Sequence, residues 1–381
     1  MSGLVIIGSG LAGYTLAREF RKRDQDTVLT IICADDGASY SKPMLSNAIA
    51  KDKTPDALIM ADAEKMAADL NADIKTNTTV SAIDRQQSLL QTSNGTISYD
   101  KLVIATGAHP IAIPFDGNAA DRVMMVNNLT DYRQFHAQLT KNKRIVIIGA
   151  GLIGCEFAND LSTLKMHIDL VDLASSALGR LLPDSASTVL QQKLSDLGVN
   201  WHLQNSVTAI DRNDDDSLRV SLKDGSAIDT DIVLSAIGLR ADIALCKQAE
   251  IDTDRGIKVD RFCQSSDDNI YALGDCAQIE DLNLPFVMPL MTCARALAAT
   301  LAGEPTAVNY PAMPVVVKTP CYPVVVCPPP RPVEGSWQDD VTDEGIRSLY
   351  KDNEGNTVGF ALTDGRVKER MGLAKEISDW L

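Results

Sequence analysis

Two glycine motifs of one design, Gly8-Ser9-Gly10-Leu11-Ala12-Gly13 and Gly149-Ala150-Gly151-Leu152-Ile153-Gly154, each follow a short apolar run and open a helical pattern. Such a turn is informative only between a strand and a helix, and that context occurs here twice. The first glycine permits the tight turn, the second lets a pyrophosphate approach the backbone, and the third lets helix and strand pack closely. The helix N-terminus adds N–H groups and partial positive charge for the phosphates. Leu4 to Ile7 reads as a buried parallel strand, Leu11 to Arg23 as a helix with Ala12, Leu16 and Phe20 on one face, and Val28 to Cys33 as the next strand. Arg144 to Val171 repeats that order, with Ile153, Phe157, Leu161 and Leu164 on the apolar helix face. One βαβ unit is therefore used twice, which predicts an α/β fold with two Rossmann-like nucleotide-binding domains.

Each unit also has its acidic residue. Asp35, beside Ala34 and Asp36, lies just beyond the second strand of the first unit, where a carboxylate can accept from ribose hydroxyls. Asp172 ends the corresponding strand of the second unit and would repel a 2'-phosphate, favouring NADH over NADPH. Turns at Asn94-Gly95 and Asp224-Gly225 suggest antiparallel hairpins attached to each parallel sheet. From about Pro311 the composition changes to β-branched runs broken by prolines, so a small C-terminal α+β domain is expected, ending in a helix-like tail from Lys368 to Leu381.

A chain of 381 residues suits two or three domains. Its net charge of -15 argues against nucleic acid or an anionic membrane as the main partner. The most apolar helical stretch, Phe286 to Gly303, is interrupted by Arg295 and barely long enough to span a bilayer, so a buried helix is expected and no membrane insertion. Met1-Ser2-Gly3 runs straight into a strand without an export signal. The eight cysteines form no C-x-x-C pair and the four histidines are dispersed, which gives no metal site of familiar spacing and suits reduced thiols in the cytoplasm.

At this point the chain resembles the flavoprotein oxidoreductases with two dinucleotide-binding domains. Ala105-Thr106-Gly107 closes the first nucleotide domain, Ala236-Ile237-Gly238-Leu239-Arg240 the second, and Tyr271-Ala272-Leu273-Gly274-Asp275 returns to the first. The resemblance covers nearly the whole chain. It implies FAD on the N-terminal motif, in a discontinuous domain of residues 1–110 and 241–312, with NADH as substrate on an inserted domain of residues 111–240 and residues 313–381 as the C-terminal domain. It places Ala34, Asp35, Val80, Thr106 and Gly107 beside the flavin nucleotide, and Asp172 and Gly238 beside the second nucleotide. Gly274 and Asp275 would meet the ribityl chain, although an aspartate there also suits a helix cap. Pro289 fits the first turn of the following helix. The N-terminus of that helix, with backbone groups near Val287, could point at the flavin pyrimidine edge, where negative charge develops on reduction.

The family divides by electron acceptor. Disulfide reductases carry a C-x-x-x-x-C pair near residue 40, and this chain reads Ser39-Tyr40-Ser41-Lys42-Pro43-Met44-Leu45-Ser46. That segment, with Val317-Lys318-Thr319-Pro320 and Pro328-Pro329-Pro330-Arg331, looks like the rubredoxin reductases and the similar flavorubredoxin reductases. The resemblance implies hydride transfer from NADH and one-electron delivery to rubredoxin, as in the electron supply to alkane hydroxylase. Flavorubredoxin, a ferredoxin, or a non-enzymatic flavin-bound NADH sensor are the other readings. Lys42 would lie beside the flavin and Glu156 near the nicotinamide channel, as a buried Lys–Glu pair able to gate nicotinamide access; otherwise Glu156 is a helix-dipole partner and Lys42 a solvated loop lysine. Rubredoxins are acidic as a family, so docking by this acidic chain would need a local basic patch, for which Lys42, Arg295, Lys318 and Arg331 are candidates. The short C-terminal domain hints at a monomer.

Overall fold

The computed structural model describes residues 3–139 and 143–381. Five parallel strands form the first sheet, in the order Ile270–Ala272, Lys101–Ile104, Leu4–Ile7, Leu29–Ile32 and Asp73–Lys75. All four residues of the central strand are buried, which explains a run without alternation: a parallel strand covered on both faces has no polar side. The first motif helix, Leu11–Arg21, packs against a return helix, Val287–Leu301, over this sheet.

The second sheet has the same plan, in the order Val123–Met124, Ile232–Ser235, Arg144–Ile148, His167–Asp172 and Val199–Leu203. Its central strand leads into the second motif helix, Leu152–Ser162. A three-stranded antiparallel sheet accompanies each unit, with Gly95 and Gly225 at positive φ in the turns read from the sequence. The chain leaves the first unit along Ala108–Pro110 and comes back along Leu239–Ala241, and these two stretches pair antiparallel with each other.

The C-terminal region is a five-stranded antiparallel sheet, in the order Val315–Val317, Val324–Cys327, Thr357–Thr363, Gly345–Asp352 and Gly335–Thr342. The expected helical tail shrinks to the end of a 3₁₀ helix, Asp364–Glu369, and a short α-helix, Arg370–Ala374, that contains Gly372, a poor helix former. Beyond it Ile377 and Trp380 pack on the core beside that sheet, so side-chain anchoring and not helical period directs the chain.

Two large apolar cores result. One surrounds the first sheet and both of its helices. The other joins three regions: Leu45, Ala48 and Leu58 from the first unit; Phe157, Ala158 and Leu161 from the second motif helix; and Val317, Tyr322 and Val324 from the C-terminal sheet. The second motif helix is thus a meeting point for the whole chain. Among the described residues no helix is long and apolar enough to cross a membrane.

Candidate active site

The two glycine turns share their geometry. Gly8 has φ of 113° and Gly149 of 110°, and a Cβ at either would strike the backbone of Ala105 or Ala236 respectively. At Gly13 and Gly154 an added Cβ would lie 1.9 Å and 1.8 Å from the carbonyl oxygens of Gly8 and Gly149, so these positions fix helix against turn. Gly10 and Gly151 differ, because nothing lies within 4 Å of a Cβ built there. They cap the two motif helices in extended conformation without a side-chain cap, and neither first turn holds an acidic residue. Open space before an uncapped, unneutralised helix N-terminus is what a pyrophosphate requires, and both cradles fit one.

Around the first cradle, Asp35 is exposed, as is Ala34, and accepts from the Gly37 amide at 3.0 Å and from the Ser9 hydroxyl at 3.5 Å. Val80 is half-buried at the start of its hairpin strand, against the first core. The Thr106 hydroxyl donates to the Asp242 carbonyl at 3.4 Å and the Gly107 carbonyl accepts from the Asp242 amide at 3.0 Å, which ties the outgoing and returning chain together. Gly238, with φ of 119°, accepts from the Ile111 amide at 3.0 Å on the same crossing. In the second unit Asp172 accepts from the backbone amides of Ala150 and of Ala174, the latter at 2.6 Å. Its carboxylate therefore braces the glycine turn itself while keeping lone pairs for a ribose.

Gly274, with φ of 80°, leaves a Cβ position only 2.9 Å from Cβ of Ala12, so the Leu273-Gly274-Asp275 stretch abuts the first cradle. Burial pushes the Asp275 carboxyl above the usual carboxylate range, and the nearby Lys42 ammonium opposes that shift. Lys42 sits in a short 3₁₀ turn, Lys42–Met44, and donates from Nζ to Oδ1 of Asn127 at 2.8 Å. Burial lowers its pKa, with Asp275 and Asp131 opposing. For both groups burial outweighs the opposing charge. The return helix has no side-chain cap and no first-turn acid, with Val287 and Met288 exposed at its start and Pro289 in its first turn.

The expected Lys42–Glu156 pair does not form. Glu156 is completely buried and its partner is Lys318, whose Nζ lies 2.5 Å from Oε2 and whose amide donates to Oε1 at 2.9 Å. The Ser46 hydroxyl also donates to Oε2, at 2.5 Å. The reason is the C-terminal sheet, which brings Lys318 onto the second motif helix, while Lys42 turns toward Asn127 and Asp275. A buried carboxylate needs both a counter-charge and hydrogen bonds, and Glu156 has them from two other regions of the chain.

The basic patch changes for the same reason. Lys318 is spent on Glu156, and Arg331 is held by Asp281 through Nε at 2.7 Å and Nη2 at 2.6 Å. Arg295 stays exposed on the return helix and Lys42 is half-buried, so the four cations do not make one free positive surface. Sequence reading also missed Ser46, Asn127, Asn159 and Asp160. Nothing in the sequence marks Asn127. Asn159-Asp160, however, is a polar pair inside an apolar helix, and that is a readable signal that something must satisfy it.

Paired cradles, a half-buried carboxylate at the close of the first sheet and an open return helix define a dinucleotide-dependent oxidoreductase. The chain belongs to the pyridine nucleotide-disulphide oxidoreductase family, whose model matches residues 2–299. Residues 307–377 match a second model, described as the rubredoxin binding C-terminal domain. The chain is 45% identical over 99% of its length to the rubredoxin-NAD(+) reductase of Alcanivorax borkumensis, 99% of which is covered. It is 44% identical over its full length to the rubredoxin-NAD(+) reductase of Acinetobacter baylyi, 98% of which is covered. Identity to the nitric oxide reductase FlRd-NAD(+) reductase of Shigella sonnei is 35%, over 99% of both chains. In fold it overlays the solved covalent putidaredoxin reductase-putidaredoxin complex with a TM-score of 0.89 at 24% identity, covering 97% of this chain and 92% of that one. These matches bear out the resemblance to rubredoxin reductases drawn from the glycine motifs and the thiol-free segment at Lys42. The pyridine nucleotide-disulphide oxidoreductase family implies a flavin and a nicotinamide cofactor.

Proposed function

We propose that this chain is an NADH-dependent FAD reductase that delivers electrons one at a time to rubredoxin. The observation that carries this reading is the thiol-free segment from Tyr40 to Ile49, which packs against the second motif helix where disulfide reductases would place their cysteine pair. With no thiol to relay electrons, they leave from the flavin edge. The match of residues 307–377 to a rubredoxin-binding domain, and the relatives at 44–45% identity, support rubredoxin as the acceptor.

In this reading residues 1–110 and 241–312 hold FAD, residues 111–240 hold NADH, and residues 313–381 form the acceptor-binding domain. FAD supplies, when bound, the conversion of one hydride into two single-electron transfers. The first cradle holds its pyrophosphate by the open helix N-terminus at Gly10, and Asp275 accepts from ribityl hydroxyls. Lys42 keeps a positive charge beside the ring, and the uncapped start of the return helix near Val287 stabilises negative charge at the pyrimidine edge. The second cradle positions NADH, whose unphosphorylated ribose suits Asp172. The Glu156–Lys318 pair lines the nicotinamide side as a neutralised unit that excludes water. The free thiols suit a reducing compartment, and we assign the enzyme to the cytoplasm.

Anaerobic stopped-flow mixing tests this. NADH should bleach the flavin absorbance faster than NADPH, and rubredoxin should then restore it faster than flavorubredoxin or a ferredoxin. Failure of rubredoxin to reoxidise the NADH-reduced protein overturns the assignment; reoxidation by flavorubredoxin alone reassigns the acceptor.

A further inference from the structure

The second motif helix does more than present a phosphate cradle. One turn after Glu156 its inner face carries Asn159 and Asp160, both buried among Phe157, Ala158 and Leu161. Asp160 is almost fully buried, and its two oxygens accept from the backbone amides of Ile49 at 3.1 Å and Ala50 at 2.7 Å. Those amides close the segment that begins at Lys42, a run of tight turns in which Leu45 accepts no strand partner and is held by local bonds to Lys42 and by the shared core. Asn159 Oδ1 accepts from the Cys321 amide at 3.1 Å, three residues beyond Lys318. Burying a carboxylate against backbone amides is costly unless the geometry holds, and it then fixes those amides firmly.

Two lysines bear on the reaction locus, Lys42 from the first unit and Lys318 from the C-terminal sheet, and one helical turn grips the backbone that carries each. We propose that Asp160 and Asn159 are positioning residues, Asp160 setting the place of Lys42 through residues 42–50 and Asn159 setting the place of Lys318 through residues 318–321. Because this helix begins at the second cradle, nicotinamide, the flavin-side lysine and the lysine paired with Glu156 are referenced to a single rigid element. The proposal rests on the function proposed above, in that the reaction whose geometry is set is hydride transfer followed by electron delivery.

The test uses full-length holoprotein in anaerobic stopped flow, with thermal unfolding measured alongside. Wild-type protein is mixed with NADH and then with rubredoxin, and failure here counts against the proposed function and not against the positioning role. Asp160→Asn keeps the size of the side chain and turns one acceptor into a donor facing an amide. Its limiting rate of flavin reduction should fall by about tenfold, since small misplacements of reacting groups have large effects, while the dissociation constant for NADH stays near wild type. The flavin absorbance band should shift as Lys42 moves, and Asp160→Glu, which restores two acceptors, should recover part of the rate. A limiting rate and spectrum equal to wild type, with only the melting temperature lowered, overturns the proposal for Asp160. Should Asp160→Asn yield no holoprotein, Asn159→Ala decides: the limiting rate of flavin reduction by NADH should fall severalfold as Lys318 moves against Glu156, with the dissociation constant for NADH near wild type, and an unchanged limiting rate overturns the proposal.

Discussion

At the scale of single residues, the six motif glycines do different work although the sequence writes them alike. Gly13 has no room for a methyl group and Gly10 has nothing but room. Gly13→Ala should therefore cost folding stability, whereas Gly10→Ala should leave the apoprotein stable and weaken retention of FAD, because its Cβ would enter the open space proposed for the pyrophosphate. Urea unfolding of the apoproteins together with flavin titration separates the two. Glu156→Gln leaves the Lys318 ammonium beside a neutral side chain in a buried site, and stability should drop by about 3 kcal/mol, measured by urea unfolding. The residue types at this site were readable from the sequence, but their partners were not. Lys42 and Glu156 both stand near glycine motifs, which suggests a pair, yet pairing depends on how a sheet some 160 residues further along lies on the second motif helix, as the 162-residue separation between Glu156 and Lys318 shows. Local pattern carries no information at that range.

At the scale of elements, both cradles were legible because each is specified within a few consecutive residues: a buried strand, a positive-φ glycine, an uncapped helix start. The hairpins were legible for the same reason, from their turn glycines. The C-terminal helix was not, since Ile377 and Trp380 answer to a distant core. The uncapped cradle helices make a prediction with opposite signs on two measurements. Ile153, expected on the apolar face with Phe157 and Leu161, is instead exposed in the first turn of the second motif helix, at the mouth of the open cradle. Ile153→Glu adds a carboxylate where the helix dipole welcomes it, so stability should hold or rise by a few tenths of a kcal/mol, roughly, while the same charge repels phosphate. The dissociation constant for NADH, from flavin-reduction kinetics, should increase, and a decrease would contradict the placement of the nucleotide.

At the scale of the whole molecule, the net charge of -15 governs approach of an acidic partner, because the cations that could have made a local attractive patch are largely committed to internal carboxylates. Added salt should then screen repulsion, and the second-order rate constant for rubredoxin reduction should rise from low to moderate ionic strength. A steep fall would reveal a steering patch that the ion pairs hide. The two nucleotide units also differ in attachment. The stretch running from one to the other and the stretch coming back lie side by side, Ala108 opposite Ala241 and Pro110 opposite Leu239. A segment whose two ends touch can be lifted out or exchanged without rerouting the remainder. With NADH assigned to that unit as proposed above, nicotinamide preference becomes a replaceable cartridge, provided that any substitute brings its own acceptors for the amides of Ile49, Ala50 and Cys321.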